Sequence, residues 1–259
     1  MSNFKKAAII TGATSGFGKI FAELIDKSFD KAVDEIWIIG RREEKLEQLA
    51  FSLSKNVRLF PVDLTDKNSI NTIKESLEAD RIAVRFLVNA AGFGINTDFE
   101  ETTETEVHDM VTLNCTSLTM LIKVCLPYMT YNSRIVNFAS VAAFMPQPGF
   151  AQYAATKSYV LSLSRALNPE LNKNGIFVTA VCPGPAATEF FDIAVKDDNY
   201  PKYKKFFWAD PEKVVKKAFK DAMKKKEISI YSPSMKCFFI LTKLIPHKFL
   251  LKIAKYLNN

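Results

Sequence analysis

The sequence predicts an α/β fold: a single domain built on a doubly wound parallel sheet. Three observations predict it. Short apolar runs recur along the 259 residues. Segments with apolar residues at helical spacing alternate with them. The first run passes directly into a glycine-rich turn and a helix. Runs alternating with helical patterns imply crossover connections between parallel strands.

The first strand is Lys6 to Ile10, where Ala7, Ala8, Ile9 and Ile10 form a continuous apolar run. Such a run suits a strand buried on both faces. Thr11-Gly12-Ala13-Thr14-Ser15-Gly16-Phe17-Gly18 follows, then a helix with Ile20, Phe21, Leu24 and Ile25 on one side. Strand, glycine-rich turn and helix is the context in which a glycine motif cradles phosphate. Gly12 suits the tight turn, Gly16 the approach of a pyrophosphate, and Gly18 close packing of helix on strand. The helix N-terminus adds free N–H groups and a favourable dipole. An ordinary strand-to-helix turn is the competing reading.

Glu35 to Ile39 is the second strand, ending in Gly40-Arg41-Arg42. At this place an acid would bond the 2′-hydroxyl of NAD, whereas arginine accommodates the 2′-phosphate of NADP. Arg41 and Arg42 therefore favour NADP; plain solvated arginines are the alternative. Glu43 and Glu44 read as the first turn of a helix carrying Leu46 and Leu49, where acids suit the dipole.

The third strand is Val57 to Val62, ending in Asp63-Leu64. Arg85 to Val88 is the fourth, ending in Asn89-Ala90-Ala91-Gly92. Asn114 sits in a helical stretch with Val111, Leu113 and Leu118. The fifth strand, Ile135 to Phe138, leads to Ala139-Ser140. Ile176 to Val181 is the sixth, ending in Pro183-Gly184, with Thr188 beyond; the seventh is Ile228 to Tyr231.

Between the fifth and sixth strands, Tyr153 and Lys157 occupy one face of a helix. A cation ~4 Å from the phenol, at an effective dielectric of ~20, favours the phenolate by roughly 4 kcal/mol. That would lower the tyrosine pKa by up to ~3 units. Such a tyrosine could exchange a proton with an alcohol or carbonyl oxygen near neutral pH. Each remaining residue has a plain structural alternative: a backbone bridge for Asn114, turn residues for Ser140 and Asp63, a helix cap for Thr188.

As an ordered set over residues 5–232, these motifs resemble the short-chain dehydrogenase/reductase family, a Rossmann-like fold. TGxxxGxG falls on Thr11, Gly12, Gly16 and Gly18. NNAG appears as Asn89-Ala90-Ala91-Gly92, with the second asparagine replaced by alanine. The motif steadies the central sheet, so the change is expected to be tolerated. The family's catalytic set falls on Asn114, Ser140, Tyr153 and Lys157, and PG…T on Pro183, Gly184 and Thr188.

The resemblance implies an NADP-dependent oxidoreductase that interconverts a carbonyl and a secondary alcohol. Tyr153 would transfer the proton and Ser140 would bond the substrate oxygen. Lys157 would lower the tyrosine pKa and bond the nicotinamide ribose. Asn114 would hold a relay water. Gly12, Thr14, Ser15, Gly16, Phe17 and Gly18 would hold the pyrophosphate. Asp63 and Leu64 would lie near the adenine, with Asn89, Ala90 and Gly92 in the same binding set. Pro183, Gly184 and Thr188 would contact the carboxamide. The family commonly forms dimers or tetramers, here through helices near Val111–Leu126 and Tyr153–Leu167. A non-catalytic dinucleotide sensor or scaffold is the rival class; the complete catalytic set speaks against it.

Composition bounds the rest. Lys+Arg number 35 against 28 Asp+Glu, a formal net charge of +7. The excess is local, in Lys213, Lys216, Lys217, Lys220, Lys224, Lys225 and Lys226, which read as a solvated helix. No nucleic-acid motif accompanies them, and no nucleic-acid partner is expected. The cysteines Cys115, Cys125, Cys182 and Cys237 are scattered, and Met1 to Lys6 is short and polar, so a cytoplasmic protein is expected. Only His108 and His247 are present, so neither a metal site nor a histidine triad is expected.

Residues 1–232 form the expected Rossmann-type domain, with an aromatic lid at 189–211. The lid carries Phe190, Phe191, Tyr200, Tyr203, Phe206, Phe207 and Trp208. With Phe144, Met145 and Phe150 it suggests an apolar substrate. Residues 233–259 form an amphipathic extension: two apolar blocks split by Pro246 and interrupted by lysines. Two short helices are expected there. A membrane surface, a pocket cover and a subunit contact are the three roles open to them.

Overall fold

The computed structural model describes residues 4–28, 33–190 and 208–258, with side chains as far as Lys252. Seven parallel strands form one sheet in the order β3-β2-β1-β4-β5-β6-β7. They are β1 (Lys5–Thr11), β2 (Glu35–Gly40), β3 (Asn56–Pro61), β4 (Ile82–Asn89), β5 (Met129–Phe138), β6 (Ile176–Val181) and β7 (Ile228–Ser229).

Alternate strand residues point to opposite faces, and each face has its own core. Ile9, Trp37 and Leu87 face one side. There α3 (Lys67–Ala79), α5 (Leu118–Cys125) and α6 (Ala151–Asn172) supply Ile73, Leu121 and Val160. Ile10, Ile38 and Val88 face the other. There α1 (Gly16–Lys27), α2 (Glu43–Ser52) and α7 (Pro211–Met223) supply Phe21, Leu46 and Val215. Two buried faces explain the unbroken apolar runs. The outer face of α7 is solvated, and there Lys216 pairs with Glu212 at 2.9 Å; Lys217 and Lys226 pair with Asp221, which is buried.

Two strands begin earlier than expected. β4 starts at Ile82 and β5 at Met129. In β5 the added residues Thr130 to Asn132 are polar and largely exposed, and only Met129 pairs with β4 before a register shift. No apolar run marks them.

Register sets the site. Thr11 lies opposite both Ile39 and Asn89, and Asn89 lies opposite Asn137. The C-terminal ends of β1, β2, β4 and β5 thus meet at one edge, where the strand order reverses between β1 and β4. In open α/β sheets, ligands bind at this switch point.

α4 (Glu104–Val111) enters α5 through a π-helical turn, Thr112–Ser117, that contains Asn114. The stretch Glu104–Tyr128 is long and apolar enough to cross a membrane by length and composition alone. Its residues Leu118, Leu121, Ile122 and Cys125 are buried in the core.

The tail forms the two expected helices, α8 (Pro233–Leu244) and α9 (His247–Asn258), broken at Pro246. α8 packs back on the body, with the rings of Phe239 and Phe144 at 4.8 Å. Of the aromatic lid, Phe191, Tyr200, Tyr203, Phe206 and Phe207 lie outside the described residues.

Candidate active site

A cleft of about 960 Å³ runs along the C-terminal edge of the sheet. Its first wall is the turn from β1 to α1. Gly12 has φ +66°, and a Cβ there would lie 2.8 Å from the Ala91 nitrogen. Thr11 Oγ1 accepts from the Ala90 and Ala91 N–H groups at 3.1 and 3.0 Å. These contacts tie the β1 and β4 exits together. Behind them, a Cβ on Gly18 would sit 2.4 Å from the Gly12 oxygen, so α1 starts hard against the turn. Ser15 is the N-cap residue, yet its side chain caps nothing. The first N–H groups of α1 are left for an anion. Thr14, Ser15, Gly16 and Phe17 line the cleft. A narrow approach to backbone, free helix N–H groups and this volume fit the diphosphate of a dinucleotide.

Arg41, Arg42, Asp63 and Leu64 line the same end. Arg41 Nη1 lies 3.6 Å from Asp63 Oδ2. Burial raises the Asp63 pKa, but hydrogen bonds from Thr65 and the Arg41 charge outweigh it and hold the carboxyl below its usual range. Arg42 Nη2 donates to Thr14 Oγ1 at 3.1 Å and to Glu189 Oε2 at 2.8 Å.

At the other end stand Ser140, Tyr153 and Lys157, all buried. Ser140 caps the short helix Val141–Phe144, accepting from the Ala142 N–H at 3.1 Å. The Val141 N–H donates to the Pro183 oxygen at 3.0 Å, holding the Pro183-Gly184 turn against this loop. Tyr153 is stacked on Phe150 at 4.3 Å and faces Phe190 at 5.3 Å. Lys157 Nζ donates to the Phe138 oxygen at 2.9 Å and lies 5.6 Å from the Tyr153 ring centroid.

The expected depression of the tyrosine pKa is not what this geometry gives. Burial pushes the Tyr153 phenol up, and a hydrogen bond from Ser140 only partly opposes it. Burial also pulls the Lys157 ammonium down, to about 8. The helical spacing was right about proximity. It carried no information on burial, and desolvation of the phenolate is the largest influence on Tyr153.

Three expected cofactor-site or catalytic residues lie behind the cleft wall instead of lining it. Gly18 is one. Asn89 is buried and donates to Asn137 Oδ1 at 2.9 Å, and Asn137 donates to Ser164 at 2.9 Å, a chain that ties β4 to β5 and α6. Asn114 grips the backbone of Phe93 from both sides. The Phe93 N–H donates to its Oδ1 at 3.1 Å, and its Nδ2 donates to the Phe93 oxygen at 2.8 Å and to Thr156 at 3.0 Å. These contacts engage the side chain of Asn114, so a water held there would need its backbone. Ala90, Gly92, Pro183, Gly184 and Thr188 do line the cleft. Thr188 faces the glycine turn: a Cβ on Gly16 would be 3.5 Å from its own Cβ.

Several participants had no clear mark in the sequence. Gly94 backs the Tyr153 ring so closely that a Cβ would lie 2.5 Å from Cδ2. Its only signal was a second glycine just beyond Gly92. Met235, Phe238, Leu241, Ile245 and Leu250 from the tail line the cleft, beside Met145 and Phe190, which the sequence had marked. Both tail helices therefore contribute side chains to the cleft wall. Lys45 joins Arg42 at Glu189, with Nζ to Oε1 at 2.8 Å. No group of three or more metal-ligating side chains occurs among the described residues.

Residues 6–199 match a family model described as short chain dehydrogenase. Sulfoacetaldehyde reductase 2 of Chromohalobacter salexigens is 34% identical over 197 residues, covering 74% of this chain and 77% of that protein. A short-chain dehydrogenase from Sphingobium yanoikuyae, solved in complex with NADPH, superposes with a TM-score of 0.74 at 28% identity, over 88% of this chain and 87% of its own. One from Burkholderia phymatum in complex with NAD has a TM-score of 0.78 at 21% identity, over 93% of this chain and 94% of its own, a likeness of fold alone.

Proposed function

This chain belongs to the short-chain dehydrogenase/reductase family, and from that premise we propose an NADP-dependent oxidoreductase that interconverts a carbonyl and a secondary alcohol on an apolar substrate. The observation that carries the reading is one cleft with a phosphate cradle and arginines at one end, and Ser140, Tyr153 and Lys157 at the other.

Gly12 to Phe17 and the N-terminus of α1 would hold the diphosphate, and Arg41 and Arg42 the 2′-phosphate. A bound nicotinamide dinucleotide would supply the hydride. Tyr153 gives its hydroxyl proton to the substrate oxygen, and Ser140 orients that oxygen by hydrogen bonding. A phenol held protonated by burial is the form that donates, which suits carbonyl reduction. Lys157 keeps a positive charge beside the tyrosine as the proton leaves. Asn114 positions this group by clamping the Phe93 backbone next to Gly94. Phe150, Phe190, Met145 and the α8 side chains exclude water and favour an apolar substrate.

The test follows NADPH consumption at 340 nm over ketones from short-chain to steroid-like, with NADH in parallel and Tyr153→Phe as control. Turnover of a bulky apolar ketone, lost in Tyr153→Phe while NADPH still binds, is expected. Tight NADPH binding without turnover of any compound would instead favour a dinucleotide sensor or scaffold.

A second reading concerns the tail. Ile240, Leu244 and Phe249 are 56%, 75% and 56% exposed. Exposed Lys236, Lys243, Lys248 and Lys252 flank them. An apolar strip with a lysine rim suits peripheral contact with an anionic membrane.

A further inference from the structure

Glu189 follows Thr188 directly, yet its carboxylate lies across the cleft against the β2–α2 connection. Oε2 accepts from Arg42 Nη2 and Oε1 from Lys45 Nζ, both at 2.8 Å. Arg42 is the N-cap residue of α2, and Lys45 belongs to its first turn. Arg42 also donates to Thr14 Oγ1 at 3.1 Å, so the cluster touches the glycine turn. Nearby Arg41 has its own carboxylate, Asp63, at 3.6 Å. A carboxylate shared between a guanidinium and an ammonium makes the contacts that a phosphate monoester would make.

We propose that Glu189 is an internal stand-in for the adenosine 2′-phosphate, held by Arg42 and Lys45, and that it competes with that phosphate and so tunes the preference between NADP and NAD. The proposal rests on the NADP reading of the arginines, and it adds Lys45 to the phosphate-binding cations. Two features make the carboxylate a displaceable competitor. The side chains of Arg42, Lys45 and Glu189 are 45%, 39% and 42% exposed, so water and solutes reach the pair. Ion pairs this exposed are held weakly. An incoming phosphate monoester carries roughly twice the charge of the carboxylate it displaces. Hydrogen bonds from Lys45 and Arg42 hold the Glu189 pKa at about 2. The carboxylate is therefore charged, and competes, at any working pH.

The experiment is titration calorimetry of NADPH and NADH on the full chain and on Glu189→Gln, at low and at moderate salt. Glu189→Gln should bind NADPH about tenfold more tightly, equivalent to ~1.4 kcal/mol, with NADH unchanged within twofold. The gain should shrink as salt rises. Unchanged or weaker NADPH binding, or an equal shift for both cofactors, would overturn the proposal. Lys45→Met provides a second reading: NADPH binding should weaken severalfold while NADH is unaffected, and equal effects on both would count against it. The NADP reading is decided separately, by the unsubstituted chain. If that chain binds NADPH no better than NADH, the reading of Arg41 and Arg42 fails, yet a selective gain in Glu189→Gln would still uphold the role of Glu189.

Discussion

Lys157 shows what a charged group costs when it is buried for chemistry. Its pKa falls to about 8 from an ordinary 10.5 because of burial. At ~1.36 kcal/mol per unit this is about 3 kcal/mol of lost stability at pH 7. Between pH 8 and 10.5 the unfolded chain holds a proton that the folded chain has released, so stability rises with pH across that window. Below pH 8 the cost is present in full. Lys157→Met removes it but strands the Phe138 oxygen, at a cost of about 1 kcal/mol. The expected result is a variant ~2 kcal/mol more stable at pH 7, the gain fading toward pH 10.5, with turnover abolished. Thermal melts at pH 7 and pH 10 test it; a lower melting temperature at pH 7 would refute it. At this scale the sequence was legible in part. Spacing brought Tyr153 and Lys157 together and put Ser140 at a strand end. It was blind to burial, and so had the direction of the Tyr153 shift reversed. It was equally blind to Glu189, whose partners are more than a hundred residues away in the chain.

Elements were legible where packing is two-sided. Apolar runs announced β1, β2 and β6 because both faces are buried, whereas near the start of β5 Thr130 and Tyr131 are exposed and left no signature. The π-helical turn at Asn114 was invisible, since a bulge changes no apolar spacing strongly; such turns frequently mark functional sites. The loop after β4 is the most sensitive short element. In Gly94→Ala the new Cβ would sit 2.5 Å from the Tyr153 ring, and the ring must move. Displacements near 1 Å cost about 100-fold in rate. A fall in kcat of that size with the melting transition retained is expected, and wild-type kcat would show that Tyr153 needs no such backing. For α8, Ile240→Asp combined with Leu244→Asp should abolish co-sedimentation with anionic vesicles and leave turnover of a soluble ketone intact. Neither residue lines the cleft. Co-sedimentation as strong as the parent's would exclude this strip as the membrane contact.

The whole molecule was the most legible level, because alternating runs and helical patterns leave few ways to cover a sheet twice. What the sequence could not specify was the destination of the tail, since an amphipathic helix looks the same whatever covers it. α4, α5 and α6 leave Val111, Met120 and Tyr159, one on each, exposed, with Thr119 and Tyr159 hydrogen-bonded at 2.9 Å. Light scattering should give a dimer or tetramer, and Met120→Arg with Tyr159→Arg should yield monomers; an unchanged mass would assign assembly to another face. The strand order has a consequence for biosynthesis. β1 is made first but lies in the interior of the sheet, between β2 and β4. Once β2 has formed, the other edge of β1 stays bare until Asn89 has left the ribosome, several seconds at ~5–20 residues per second. For that interval the nascent chain offers an apolar strand edge to any neighbour. Codons that slow translation between Gly40 and Asn89 should therefore lower the soluble yield more than the same codons placed after Val181.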